Sequence, residues 1–376
     1  MLNHVSQQHK DAITLWYVVQ HSLSSFYKLK HHFKHLNDAL LLQNMHEWLK
    51  LGIHKNHIER LNQLHSNETQ QYLKHLFTAI QHHCDFILIE EDSYYPTQLL
   101  PFGDRPPIIF GQGNIQALLQ PQIALVGSRK ASQHGRQITY DFAYFLSKHG
   151  FYITSGLAQG IDEAAHQGGL KNHRTIAVMG TGIDQTYPSQ HSQLREQILQ
   201  QSGAVITEFL PFTKPLQQHF PRRNRIVSGL SLGVIVTEAT LDSGSLITAK
   251  LAAEQGRSIF AIPGHIYHES SRGCHQLIRE GAILVDHPEQ VIEDLALPTQ
   301  WHHQHIEQSF SQENLSIPEH LIPIYKQLDW IGQNLDQLST QINIDVATLT
   351  SYLMELELLG LCMQQSGLYL RCRSQQ

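Results

Sequence analysis

From Pro121 to about Leu295 the chain repeats one pattern: a short apolar run, a turn of small residues, then an amphipathic segment of helical length. The apolar runs are Ile123–Val126, Tyr152–Thr154, Thr175–Met179, Ala204–Ile206, Leu232–Thr237, Ser258–Ile262 and Ile283–Val285. The segments between them include Ser132–Lys148, Gly160–Lys171, Ser189–Gln200 and Leu246–Gln255. Strands that are apolar throughout need cover on both faces, and strands separated by helices run parallel. The pattern therefore predicts an α/β fold with a doubly wound, Rossmann-like, mostly parallel sheet.

At 376 residues the chain has room for more than this one domain. Before it, residues 10–82 carry apolar positions at helical spacing, Leu15, Val18, Phe26, Leu29 and Phe33 among them, without β-branched runs. Phe86–Ile89 then reads as a strand, followed by turns around Pro106-Pro107, Gly111 and Gly113. After Pro298 a His/Gln/Ser-rich stretch reads as a linker. Ile322–Leu328, Leu335–Ile342 and Val346–Leu359 then read as helices, and Leu361–Gln365 and Leu368–Cys372 as a hairpin. The expected plan is a helical domain at 1–82, the Rossmann-like core at 83–298, a linker at 299–317 and a winged helix at 318–376.

No stretch approaches the roughly 20 apolar residues of a membrane span, and the N-terminus lacks the apolar run of a signal peptide, so no membrane insertion and a cytoplasmic location are expected. Cys84, Cys274, Cys362 and Cys372 are scattered without a CxxC pair, which points to buried thiols rather than a disulfide framework or zinc ribbon. The 27 histidines lie among many glutamines without HExxH spacing, and no metal site is expected.

The net charge of −6 conceals an uneven distribution. Residues 121–230 carry 11 basic and 6 acidic side chains, for +5, whereas 231–300 and 301–376 are each −5. An anion site belongs in the basic stretch, and four motifs offer one. Gly127-Ser128-Arg129-Lys130 follows the first strand of the pattern, where backbone N–H groups and a helix N-terminus favour phosphate. Neither GxGxxG nor a Walker A loop is present, so no nucleotide cofactor is expected. Ser155-Gly156 closes the second strand, with His166 a candidate general base or a packed core histidine.

Phe220-Pro221-Arg222-Arg223-Asn224-Arg225 combines three guanidinium groups with an aromatic face, a chemistry suited to phosphates and unpaired bases. A solvated face making ion pairs is the plainer reading, but acidic neighbours in the sequence are few. Ser243-Gly244-Ser245 with Thr248 starts another helix, and Glu238 before it is either catalytic or a partner for an arginine of the preceding motif.

Taken in order, Val126–Arg129, Ser155–Ala158, Gly160-Ile161-Asp162, Ala165-His166, Tyr187-Pro188, Phe220-Pro221, Arg223–Ile226, Gly229–Ser231, Glu238-Ala239, Ser243–Ala249, Gly256-Arg257 and Pro263-Gly264 closely resemble the bacterial DNA-processing protein A (DprA/Smf) family. The resemblance covers about residues 85–295. It implies an extended Rossmann core with a sterile-alpha-motif-like domain before it and a winged helix after it. It further implies a non-enzymatic protein that binds single-stranded DNA, protects incoming DNA in natural transformation, displaces single-strand binding protein and loads the RecA recombinase.

By matching position, Gly127, Ser128, Arg129, Ser155, Gly156, Phe220, Arg223, Asn224 and Arg225 are expected to line the DNA pocket, with Lys130, Arg222 and the Ser243–Thr248 loop completing it. A homodimer is also implied, through a segment that includes Leu277, Ile278, Ile283 and Leu284. The chain departs from the family pattern at Gln159, where an arginine is usual, near Gln217, where Lys214 is the nearest basic residue, and at His275, where asparagine is common.

The alternative from another class is a Rossmann-type nucleoside-monophosphate phosphoribohydrolase, which cleaves an N-glycosidic bond with a Gly-rich loop and a Glu, Ser243–Thr248 standing in for that loop. It leaves the arginine cluster without a task. A DNA-reading winged helix needs basic residues on its recognition helix, yet Asp345–Leu359 has none and carries Asp345, Glu355 and Glu357. That domain is expected to dock a protein surface.

Overall fold

The computed structural model describes residues 5–296, 318, 320–328, 333–359, 361–365 and 368–371, which fall into two compact units, Met1–Ile292 and Glu293–Gln376. The linker expected at 299–317 lies outside the described residues, as does Cys372.

The first unit opens with the helices α1 (Gln7–Val18), α2 (Leu23–His32), α3 (Leu36–Ala39), α4 (Met45–Lys50), α5 (Lys55–Asn62) and α6 (Asn67–His83). Serines start three of them: the hydroxyls of Ser6, Ser22 and Ser66 accept from the backbone N–H groups of His9, Ser25 and Thr69, each satisfying an orphan donor of the first turn. Trp16, Leu29, Trp48 and Leu76 bury the inner faces of this group.

Nine strands follow: β1 (Phe86–Ile89), β2 (Ile108–Gly113), β3 (Gln122–Val126), β4 (Tyr152–Ser155), β5 (Thr175–Val178), β6 (Ala204–Thr207), β7 (Gly233–Val236), β8 (Ser258–Ala261) and β9 (Ile283–Leu284). They form one sheet in the order β1-β2-β6-β5-β4-β3-β7-β8-β9, parallel from β6 to β9 and antiparallel at β1 and β2. The helices α7 (Gln133–Lys148), α8 (Ile161–Leu170), α9 (Ser192–Gln200), α10 (His219–Leu230), α11 (Gly244–Glu254), α12 (Arg272–Arg279) and α13 (Pro288–Ala296) alternate with the parallel strands.

Both sheet faces are covered, which is why the strands are apolar throughout. Along β1, Ile87 and Ile89 pack into the core that holds Trp16 and Leu76, while Phe86 and Leu88 pack into the opposite one with Ile226 and Leu230. The six N-terminal helices thus share a core with one face of the sheet.

Two elements differ from expectation. Strand β2 occupies a stretch read as turns because of its glycines and the prolines before it. Gly111 pairs with Phe86 and Ile206 as a strand residue, and it is glycine because the Phe86 ring lies over it, where any Cβ would collide. Helix α10 occupies the arginine motif, which lies outside the helical segments named from the sequence. Pro221 sits in its first turn, where a missing N–H costs no hydrogen bond.

The order places β4, β5 and β6 on one side of β3 and β7, β8 and β9 on the other. The winding therefore reverses between β3 and β7. In open α/β sheets ligands bind outside the carboxyl ends of the strands at such a switch point.

The second unit contains α14 (Ile322–Gln327), α15 (Leu335–Ile342), α16 (Val346–Leu358) and an antiparallel hairpin of β10 (Cys362–Gln365) and β11 (Leu368–Arg371), a winged-helix plan. Asn334 and Gln337 form a capping box on α15, and Asp345 caps α16 by accepting from Ala347 and Thr348. Leu338, Leu349, Leu353 and Leu356 fill its core.

Candidate nucleic-acid interface

A cavity of about 650 Å³ opens at the switch point. Its walls come from the loop after β3 (Gly127, Ser128, Arg129), the loop after β4 (Gly156, Ala158), helix α10 (Phe220, Arg223, Asn224) and the start of α11 (Ser243, Gly244, Ser245, Thr248).

The loops are tied together before any ligand is considered. Ser128 N–H donates to the Glu238 carbonyl at 2.7 Å, and the Glu238 carboxylate accepts from both the N–H and the hydroxyl of Ser132. Glu238 therefore sits over the N-terminus of α7, where its charge meets the helix dipole. This corrects the expectation that Glu238 holds an arginine. It also leaves the neighbouring start of α11, with Asp242 beside its cap, as the helix N-terminus that faces the cavity without a carboxylate bound to it. There Ser243 caps the helix, and its hydroxyl lies 2.7 Å from that of Ser245. Gly160 (φ 83°) approaches the Ser128 carbonyl so closely that only glycine fits.

Arg223 is the buried cation of the wall. It is 4% exposed, its Nε has no hydrogen-bond partner, and its guanidinium occupies the space where a Cβ on residue 156 would sit, so Gly156 makes room for it. Burial and the nearby Arg129 lower its pKa to about 10 while Asp162 opposes the shift, so Arg223 stays charged at neutral pH. Burial pushes the Asp162 carboxyl up, and Arg223 together with the Ala158 and Gly156 N–H groups pulls it back. Asp162 accepts from those N–H groups at 3.3 and 3.0 Å, fixing the 156–158 loop. A buried cation with an unmet donor at a cavity wall is costly unless an anion completes it.

Phe220 lies against Gly180, with the Arg129 guanidinium 5.2 Å from its ring centroid. Arg129 is exposed.

The predicted site residues are not all brought together. Gly127, Ser128, Arg129, Gly156, Phe220, Arg223, Asn224, Ser243, Gly244, Ser245 and Thr248 line the cavity, whereas Lys130, Ser155, Arg222 and Arg225 do not. Ser155 is buried and donates to the Leu125 carbonyl, tying β4 to β3. Arg222 and Arg225 both pair with Glu208, whose side chain is fully buried, and Arg225 Nε lies 3.8 Å from Asp104. Two of the three arginines do make ion pairs, but against the buried Glu208 rather than on a solvated face, with partners distant in sequence and close in space. Arg222 also lies over the rings of Trp16 and Phe209, and the Glu208 carbonyl accepts from the Trp16 indole at 2.8 Å. Arg222 and the Glu208 carbonyl thus tie Trp16 of α1 to the segment after β6.

His166 is fully buried between the Leu157 N–H and the Thr175 hydroxyl, and burial followed by Arg223 lowers its pKa to about 3. Both ring nitrogens hold structure, which leaves neither for a reacting group. Of the departures, Gln217 lines the cavity and Lys214 does not. His275 accepts from or donates to the backbone of Gly264 rather than facing the cavity.

Asp162, Tyr187 and Asp242 also line the cavity without having been singled out for it. For Tyr187 the signal was its neighbour: Tyr187-Pro188 ends a loop that leads to α9. Of the four residues expected to pair two copies, Leu277 is buried in this chain's own core and Ile278 is half-buried, while Ile283 and Leu284 are 37% and 48% exposed on the edge strand β9.

Among the described residues no helix is long and apolar enough to cross a membrane.

Comparison with known proteins agrees with this architecture. The family model described as DNA recombination-mediator protein A matches residues 86–296. Protein Smf of Escherichia coli is 41% identical over 300 residues, covering 76% of this chain and 77% of the relative. A solved structure of DNA processing protein A from Streptococcus pneumoniae superposes with a TM-score of 0.66 at 35% identity, covering 78% of this chain and 98% of that one. Another, DNA processing protein A from Helicobacter pylori, described for its single-stranded DNA binding mode, gives 0.52 at 28% identity over 57% of this chain and 97% of that one. The loops, strands and glycines that build the cavity all fall inside the matched segment, and the chain belongs to the DNA recombination-mediator protein A family.

Proposed function

We propose that this protein binds single-stranded DNA in the cavity between β3 and β7 and acts in DNA processing during recombination and natural transformation. The observation that carries the reading is Arg223: a buried cation with an unpartnered Nε, beside the exposed Arg129 and the Ser243-capped start of α11. Phosphates suit these donors, and the Phe220 face suits an unpaired base. A duplex hides its bases, so the reading favours single strands. The names of the relatives support it, DNA processing proteins and a recombination mediator among them.

The finer proposal is that the bound strand is protected from degradation, freed of single-strand binding protein and passed to the RecA recombinase. Two copies would pair through the β9 edge at Ile283 and Leu284. We propose the divisions at 82/83, 298/299 and 317/318 as the working domain plan and the cytoplasm as the working location. We also propose a non-enzymatic role: the Glu238 carboxylate, a catalytic candidate in the sequence, caps α7 through Ser132.

The test is fluorescence anisotropy with labelled single- and double-stranded oligonucleotides of one sequence. A clear single-strand preference is expected, and equal binding of both forms, or of neither, overturns the reading.

A further inference from the structure

The wall formed by Gly156, Phe220 and Arg223 has a second side. Against it lies another cavity, of about 420 Å³, which shares those residues, Arg129 and Tyr187 with the first and adds Gln159 and Gln190. Tyr187 is 46% exposed, with its ring centroid 5.4 Å from that of Phe220 and the planes 38° apart. This compartment has no cation beyond the two it shares with the first. What it contributes of its own is the primary amides of Gln159 and Gln190, set beside the Tyr187 ring at the junction of the two cavities.

We propose that this compartment receives a nucleobase of the strand whose phosphates occupy the first, with Tyr187 as its stacking platform and Gln159 and Gln190 facing its polar edge. The proposal rests on the single-strand reading above and extends it to a residue that the reading does not use. Continuity argues for it, since a polymer held by Arg129 and Arg223 has an adjoining compartment for its next unit. Chemistry argues for a base rather than a phosphate, because both arginines lie on the wall shared with the first cavity and the part beyond them offers neutral amides and a π face. A primary amide both donates and accepts, so it meets the edge of any base, and stacking is likewise tolerant of sequence. The compartment therefore adds affinity without adding sequence preference.

The test compares full-length wild type, Tyr187→Ala and Tyr187→Phe on two labelled ligands of equal length, oligo(dT) and a chain of abasic deoxyribose phosphates, by anisotropy across a salt series. Tyr187→Ala is expected to weaken oligo(dT) binding about tenfold, the scale of one lost base–aromatic stack, with an unchanged dependence on salt. Its affinity for the abasic chain should equal that of wild type, and Tyr187→Phe should bind oligo(dT) within about twofold of wild type because the ring is kept. An unchanged affinity of Tyr187→Ala for oligo(dT), or an equal loss on both ligands, overturns the stacking role while leaving the phosphate site standing. Failure of wild type to bind oligo(dT) overturns the single-strand reading itself, and the two failures are thus told apart. Thermal melts of the variants guard against misfolding, which the exposure of Tyr187 makes a small risk.

Discussion

Arg222, Arg223 and Arg225 are neighbours in the chain and face different tasks, because a helix turns each successive side chain by roughly 100°. Phe220, Arg223, Asn224 and Val227 sit at the spacing of one helix face and line the cavity. Arg222 and Arg225, three apart, share the face that meets Glu208. Burial raises the Glu208 carboxyl, yet Arg225 and Arg222 overcome it and hold the group below its usual range. Removing one guanidinium leaves a buried charge short of partners. Arg225→Ala should therefore cost about 3–5 kcal/mol in urea unfolding. The half-exposed Arg222, truncated to alanine, should cost less. An Arg225→Ala protein as stable as wild type would contradict this placement.

The strand pattern was legible in the sequence because period and apolarity are local properties, and the runs from Ile123 to Val285 match β3 to β9. What escaped was set by distant partners. β2 is a strand because β1 and β6 pair with it despite two glycines, and the arginine motif divides its roles because Glu208 folds beneath it. A helix reading of residues 219–230 would have revealed the cavity-facing stripe from spacing alone. The join between the N-terminal helices and the sheet also carries a pH dependence. Burial, then Arg222, lowers His21 from 6.5 to about 4. The unfolded chain thus takes up a proton near pH 6.5 that the folded chain refuses until about 4, so this stability is complete above pH 6.5 and is lost as pH falls through that window. At pH 5 the loss from this group is on the order of 2 kcal/mol. The melting temperature should fall from pH 7 to pH 5, and more gently in His21→Gln; identical slopes would refute the assignment. At the opposite end of the sheet, Ile283→Asp with Leu284→Asp places two charges on the exposed edge of β9. If that edge pairs copies of the chain, analytical ultracentrifugation should find monomers, whereas an unchanged sedimentation profile would rule the edge out.

For the molecule as a whole, affinity for DNA is expected to reside in the first unit. Helix α16 carries no lysine or arginine on Val346–Leu358, its cap is Asp345, and Val346, Met354 and Leu358 are exposed. Such a surface suits a protein partner better than a phosphate backbone. Removing residues 297–376 should change salt-sensitive single-strand binding less than about threefold, well under the cost of losing one phosphate contact set. A loss of a hundredfold would locate the DNA site in the second unit instead.

The central claim, that a single strand lies on Arg129 and Arg223 at the reversal between β3 and β7, is tested most directly by the salt dependence of single-strand affinity in wild type, Arg129→Ala and Arg222→Ala. Each phosphate contact on a single strand contributes a slope of about 0.7 in log affinity against log salt. The account predicts weaker binding and a slope shallower by about that amount for Arg129→Ala, with the wild-type slope retained in Arg222→Ala. A wild-type slope in Arg129→Ala, or the shallower slope in Arg222→Ala, would contradict it.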